Sequence, residues 1–101
     1  MNDKLMSFIG LCRRAGKMTI GNEPVTEDIK KGISELILIA DDISHNTEKD
    51  ITKKAEAGKV KIIKIPYSKE QISSSLGKLT AIISVNDEGF AKKILELIDK
   101  N

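Results

Sequence analysis

The sequence predicts an α/β fold, a three-layer α/β/α sandwich with a small central sheet, built as a single domain over residues 1–101. Three observations lead there. Helix-like and strand-like patterns alternate along the whole chain. The strand-like runs are apolar at successive positions, as expected of strands covered on both faces. Finally, 101 residues with 40% apolar and 32% charged content supply one hydrophobic core and not two.

Each element has its own signal. Leu5, Phe8, Ile9 and Cys12 recur at helical spacing, and Gly16 supplies a stop. Met18 to Ile20 has room only for a very short strand. Asn22-Glu23-Pro24 opens a second helix, with Asn22 or Glu23 near the cap and Pro24 in the first turn, where its missing N–H costs nothing. Val25 and Ile29 form its buried stripe and Gly32 ends it. Leu36 to Ala40, bracketed by Glu35 and Asp41, reads as a strand. A third helix is expected from Asn46 to Ala57, stopping at Gly58, and Lys61 to Ile65 is the next strand. Ser68-Lys69-Glu70-Gln71 is a capping box for a fourth helix that ends at Gly77. Ala81 to Val85 is the last strand. Asp87 caps a final helix whose Phe90, Ile94, Leu97 and Ile98 share one face. The strands 36–40, 61–65 and 81–85 are expected to be buried.

Several classes of protein are excluded. The apolar runs are too short to span a bilayer, so no membrane partner is expected. Asp3 and Lys4 precede a mixed stretch rather than a long apolar one, so no signal peptide is read and a cytoplasmic location is expected. One cysteine, Cys12, rules out an internal disulfide framework and a cysteine-cluster zinc site. A net charge of +2 does not announce a nucleic-acid binder. Its distribution says more. Lys4, Arg13, Arg14 and Lys17 lie in a stretch without acids, and Lys53, Lys54, Lys59, Lys61 and Lys64 accompany only Glu56. Acids gather at Glu27-Asp28, Asp41-Asp42 and Asp87-Glu88. Such segregation gives either a basic face suited to a phosphate backbone or ordinary solvated helix faces.

The sequence offers little chemistry for catalysis. His45 is the sole histidine and sits in the turn-like Ser44-His45-Asn46. Cys12 lies on an apolar helical stripe with no histidine beside it to activate a thiolate. Asp41-Asp42, at the end of an apolar strand, fits either a turn with helix capping or a magnesium-holding phosphoacceptor pair. No phosphate-cradling glycine loop is present. We therefore expect no catalytic residue, no metal and no cofactor.

Four ordered segments carry a family resemblance: Leu11-Cys12-Arg13-Arg14-Ala15-Gly16-Lys17; the run from Gly32 to Asp42; Ile65-Pro66-Tyr67-Ser68-Lys69-Glu70; and Asn86-Asp87-Glu88-Gly89-Phe90-Ala91-Lys92-Lys93. Together they resemble the kink-turn RNA-binding ribosomal-protein family, which includes large-subunit proteins seven-Ae and thirty-e, and in particular its small bacterial branch, the YlxQ-type proteins. The resemblance covers nearly the whole chain. It implies an α/β/α sandwich, a non-enzymatic role and structured RNA, kink-turn-like or ribosomal, as partner of a monomer, with the ribosome a further candidate.

The same resemblance implies an RNA surface at Gly21, Asn22, Glu23 and Thr26, where the family opens a helix with a glycine-x-asparagine-glutamate motif followed by a lysine. Glu23 stands at the asparagine position, Pro24 at the glutamate and Glu27 at the lysine. A side chain displaced by one residue turns about 100° around a helix, and Glu27 presents a negative charge to phosphate. These departures imply weakened kink-turn selectivity. Lys69 matches a family lysine that reaches RNA, and Lys78-Leu79-Thr80 occupies the loop that supports an extruded base. Arg13, Arg14 and Lys17 are expected to add phosphate contacts. Tyr67 is the one residue placed to stack on a base, too little for a single-strand platform. Two alternatives stand beside this reading: a protein-interaction module that has lost RNA binding, and the phosphoacceptor domain.

Overall fold

The computed structural model describes residues 3–99. Five helices and four strands follow in the order α1 (Lys4–Arg14), β1 (Met18–Ile20), α2 (Asn22–Lys31), β2 (Leu36–Ile39), α3 (His45–Ala57), β3 (Lys61–Lys64), α4 (Lys69–Leu76), β4 (Ile82–Val85) and α5 (Glu88–Asp99). The strands form one mixed sheet in the order β1-β4-β2-β3. β2 and β3 are parallel, and β4 runs antiparallel to both β1 and β2.

Alternation along the strands divides the core in two. On one face Leu36, Leu38, Ile83 and Val85 meet Leu5, Met6, Ile9 and Cys12 of α1, Ile72 and Leu76 of α4, and Ala91 and Ile94 of α5. On the other, Ile37, Ile39 and Ile82 meet Val25 and Ile29 of α2 and Ile51 and Ala55 of α3. Helices therefore cover both faces, as the continuous apolar runs of β2 and β4 required. β3 departs from expectation. It is the sheet edge, its lysines 61 and 64 are exposed and its isoleucines only half-buried. Charged side chains on an edge strand discourage pairing with another chain.

The helix ends explain most of the predicted boundaries. The capping box of α4 is present, with Ser68 Oγ accepting from Gln71 N–H at 3.1 Å and Ser68 N–H donating to Gln71 Oε1 at 2.8 Å. Asp87 accepts from Phe90 N–H at 2.9 Å. Ser44 rather than a later residue opens α3, so that helix begins at His45, one residue before the predicted start. Gly58 follows α3 in an ordinary helical conformation, and the left-handed residue is Lys59. Glycine is needed at 58 for another reason: a Cβ there would lie 2.5 Å from Ile29 Cγ2, where α2 and α3 approach.

Candidate functional site

The direction of the strands sorts every loop to one end of the sheet or the other. The C-terminal ends of β1, β2 and β3 and the N-terminal end of β4 lie together. Backbone bonds across this end confirm the arrangement: Gly21 N–H to Ile82 O, 3.0 Å; Ala40 N–H to Ala81 O, 2.9 Å; Ile65 N–H to Ile39 O, 2.9 Å. Gly21–Thr26, Asp41–Asp42, Lys69 and Lys78–Thr80 thus share one end. Four strands span three inter-strand spacings, so the rim from Gly21 to Ile65 is about 14 Å wide. The sequence could not order these loops, because strand order depends on contacts between distant residues.

α2 starts at this rim without a side-chain cap. Gly21, not Asn22 or Glu23, is its N-cap, at φ 104° and ψ 152°, a conformation open essentially to glycine alone. Asn22 and Glu23 are exposed. Thr26 is partly exposed, but its hydroxyl is engaged on both sides: it donates to Asn22 O at 2.8 Å and accepts from Lys54 Nζ at 3.3 Å. Glu27 is well exposed and loosely paired with Lys30 at 4.0 Å.

The other rim residues differ in what they present. Lys78 and Leu79 are exposed, Leu79 at 63%, a large apolar side chain facing solvent. Thr80 is not available as a surface contact. It is buried, and its hydroxyl donates to Ile82 O at 2.9 Å and accepts from Ile82 N–H at 3.1 Å, which shapes the turn into β4. Lys69 stands on the first turn of α4, and its backbone N–H donates to Asp42 Oδ1 at 3.0 Å. Asp42 thus caps α4, a role that no sequence-local signal indicates, because 27 residues separate the partners.

Tyr67 is removed as a stacking residue. It is buried with its hydroxyl donated to Asp3, the carboxylate that also accepts from Met6 N–H at the start of α1. Burial, and next the bond to Asp3 and its charge, hold the phenol well above its ordinary range. The phosphoacceptor alternative requires a cluster of acids around Asp41-Asp42. Among the described residues no three His, Cys, Asp or Glu side chains converge on a metal-sized site.

Arg13, Arg14 and Lys17 do not belong to this rim. They close α1 and lead into β1, at the opposite end of the sheet, where Asn86 N–H donates to Lys17 O at 2.9 Å. Beneath that opposite end lies a buried polar network that the sequence reading did not identify. Ser84 Oγ is 2.7 Å from Ser34 Oγ and donates to Asn86 Oδ1 at 2.6 Å. Asn86 Nδ2 donates to Thr19 Oγ1 at 2.8 Å and to buried Asp28 at 3.2 Å. The one available signal was Ser84, a hydroxyl inside an otherwise apolar strand.

Comparisons with known proteins identify the family and the fold. A model of the ribosomal protein L7Ae/L30e/S12e/Gadd45 family matches residues 3–95. A protein of Enterococcus faecium named RNA-binding protein YlxQ is 35% identical over 96 residues, 95% of this chain and 92% of its own length. The Bacillus subtilis protein of the same name is also 35% identical, over 97 residues, covering 91% of this chain and 92% of its own. Among solved structures, a Bacillus halodurans protein of unknown function superposes with a TM-score of 0.89 at 26% identity, over 97% of this chain and 99% of that one. A Giardia lamblia 15.5 kD RNA-binding protein shares the fold, with a TM-score of 0.75 at 17% identity, over 99% of this chain and 89% of that one.

Proposed function

The chain belongs to the ribosomal protein L7Ae/L30e/S12e/Gadd45 family, and on that premise we propose that it is a non-enzymatic, monomeric RNA-binding protein of the cytoplasm. Its partner is a structured RNA, kink-turn-like or ribosomal, bound with weakened kink-turn selectivity. The observation that carries this reading is the uncapped N-terminus of α2 at a rim where exposed Lys78 and Leu79 also lie. The first turn of a helix has backbone N–H groups without intrahelical acceptors and a partial positive charge, and both favour phosphate. Pro24 removes one donor, leaving those of Asn22 and Glu23.

Base edges are served less well than phosphates. Glu23 and Glu27 are exposed on α2, and both repel the RNA backbone. Lys69 and Lys78 offset part of that repulsion from the far side and the middle of the rim. Phosphate contacts position a nucleic acid and base contacts specify it, so this combination favours general affinity over discrimination. Titration of a kink-turn RNA and an unkinked duplex at two salt concentrations tests the reading. We expect binding to both, a modest preference for the kink-turn and a steep loss with salt. No binding to either at low salt rejects RNA as the partner and favours a protein-interaction module.

A further inference from the structure

We propose that Arg13, Arg14 and Lys17 form a second RNA-backbone contact, at the opposite end of the sheet from the α2 N-terminus, so that the protein holds two segments of one RNA. The proposal rests on the RNA-binding reading above and adds a second surface to it.

Position makes the contact separate. β1 alone separates Lys17 from Gly21, four residues of extended chain or about 13 Å. The two sites also lie in different layers, since α1 packs on the sheet face opposite to α2. They are diagonal to each other across the molecule. An RNA that touches both must pass from one end and face of the sheet to the other.

The turn is a rigid mount. Gly16 has φ 74°, Gly16 N–H donates to Arg13 O at 3.0 Å and Lys17 N–H to Cys12 O at 3.1 Å, a complete Schellman closure. Lys17 O in turn accepts from Asn86 N–H at 2.9 Å and from the buried Cys12 thiol at 3.4 Å. The backbone of Lys17 is therefore fixed from both sides, while its side chain and those of Arg13 and Arg14 are exposed.

The helix dipole favours Arg13 and Arg14 in the last turn of α1, but it does not account for Lys17 beyond the helix end. The carbonyls of Leu11, Cys12 and Arg13 already have backbone partners, so basic side chains are not needed to cap them. No ion pair among the described residues involves any of the three; those present are Lys30–Glu27, Lys54–Asp50 and Lys64–Glu48. Of the acids at this end, buried Asp28 accepts from Asn86 Nδ2 and Asp87 directs its carboxylate to Phe90 N–H, while Glu35 and Glu88 are exposed. Three unpaired cations on a fixed turn suit a polyanion whose charges repeat at short intervals. Arginine adds paired donors that match phosphate oxygens.

The test uses two RNAs: a minimal kink-turn hairpin, and the same hairpin with its duplex arms lengthened by one helical turn. The wild-type protein should bind the longer RNA more tightly. The triple variant Arg13→Gln, Arg14→Gln, Lys17→Gln should bind the minimal hairpin like wild type and lose the gain on the longer one. Its salt slope on the longer RNA should be shallower by about 2–3, one phosphate for each cation lost. Arg13→Lys with Arg14→Lys keeps the charge and should retain most of the gain and of the salt slope, losing only what the paired guanidinium donors add. Unchanged thermal midpoints will confirm that the variants fold. Equal loss on both RNAs, or no loss on either, overturns the two-ended arrangement. Failure of wild type to bind either RNA overturns the RNA-binding reading and this proposal with it.

Discussion

Replacing Asn86 by alanine removes the hub of the buried polar network beneath α2. Three bonds go with it: those to Thr19 Oγ1 at 2.8 Å and Asp28 at 3.2 Å, and the one accepted from Ser84 at 2.6 Å. A buried polar group left without its partner costs about 1–3 kcal/mol, more when charged, and Asp28 is only 8% exposed. Asn86 itself is half-buried, so water reaches part of the space vacated and recovers some of the loss. The balance is a destabilisation of about 2–3 kcal/mol, or roughly 10–20 °C in melting temperature for a domain of this size. The backbone bond from Asn86 N–H to Lys17 O survives the substitution, so the fold itself should persist. Urea unfolding followed by circular dichroism measures the loss, with exposed Asn46→Ala as a control expected within about 0.5 kcal/mol. Asp28→Asn keeps an acceptor for Asn86 Nδ2 and should cost less than Asn86→Ala. A loss for Asn86→Ala no greater than the control's would show that the network does not hold α2 to the sheet.

Three further outcomes follow from the structure. Gly58→Ala places its methyl 2.5 Å from Ile29 Cγ2; it should destabilise by about 1–2 kcal/mol by overpacking, and a double-mutant cycle with Ile29→Ala should assign most of that cost to this pair. Burial, and next the charge of Asp87, push the Cys12 thiol up from 9.0 to about 11. The folded-state value is raised, so its stability contribution is complete below pH 9 and lost as pH rises towards 11; unfolding curves across that window should fall more steeply for wild type than for Cys12→Ala. Glu27→Lys should raise RNA affinity and steepen the salt slope by up to about 1, and filter binding at two salt concentrations checks it. Its stability should not change, because the pairing of Glu27 with Lys30 is exposed and long.

Helices, strands and most of their ends were legible in the residue order because they rest on neighbours a few positions apart. The Ser68–Gln71 capping box, the Asp87 cap and the left-handed glycines 32 and 77 are all bonds or dihedrals within one turn. The apolar runs of β2 and β4 announced burial on both faces for the same reason. The resemblance of the rim segments likewise came from short stretches read in order. What could not be read there depends on residues far apart in the chain. Strand order placed β3 at an exposed edge and brought the loops at Gly21, Asp42 and Lys78 to one end of the sheet. Tertiary contact turned Tyr67 inward onto Asp3 and gave Asp42 the backbone of Lys69 to cap. The approach of α2 to α3, and no local turn, is what requires glycine at 58. Local bonding selects the elements, whereas long-range packing selects which end of the sheet each loop reaches and which side chains remain exposed there.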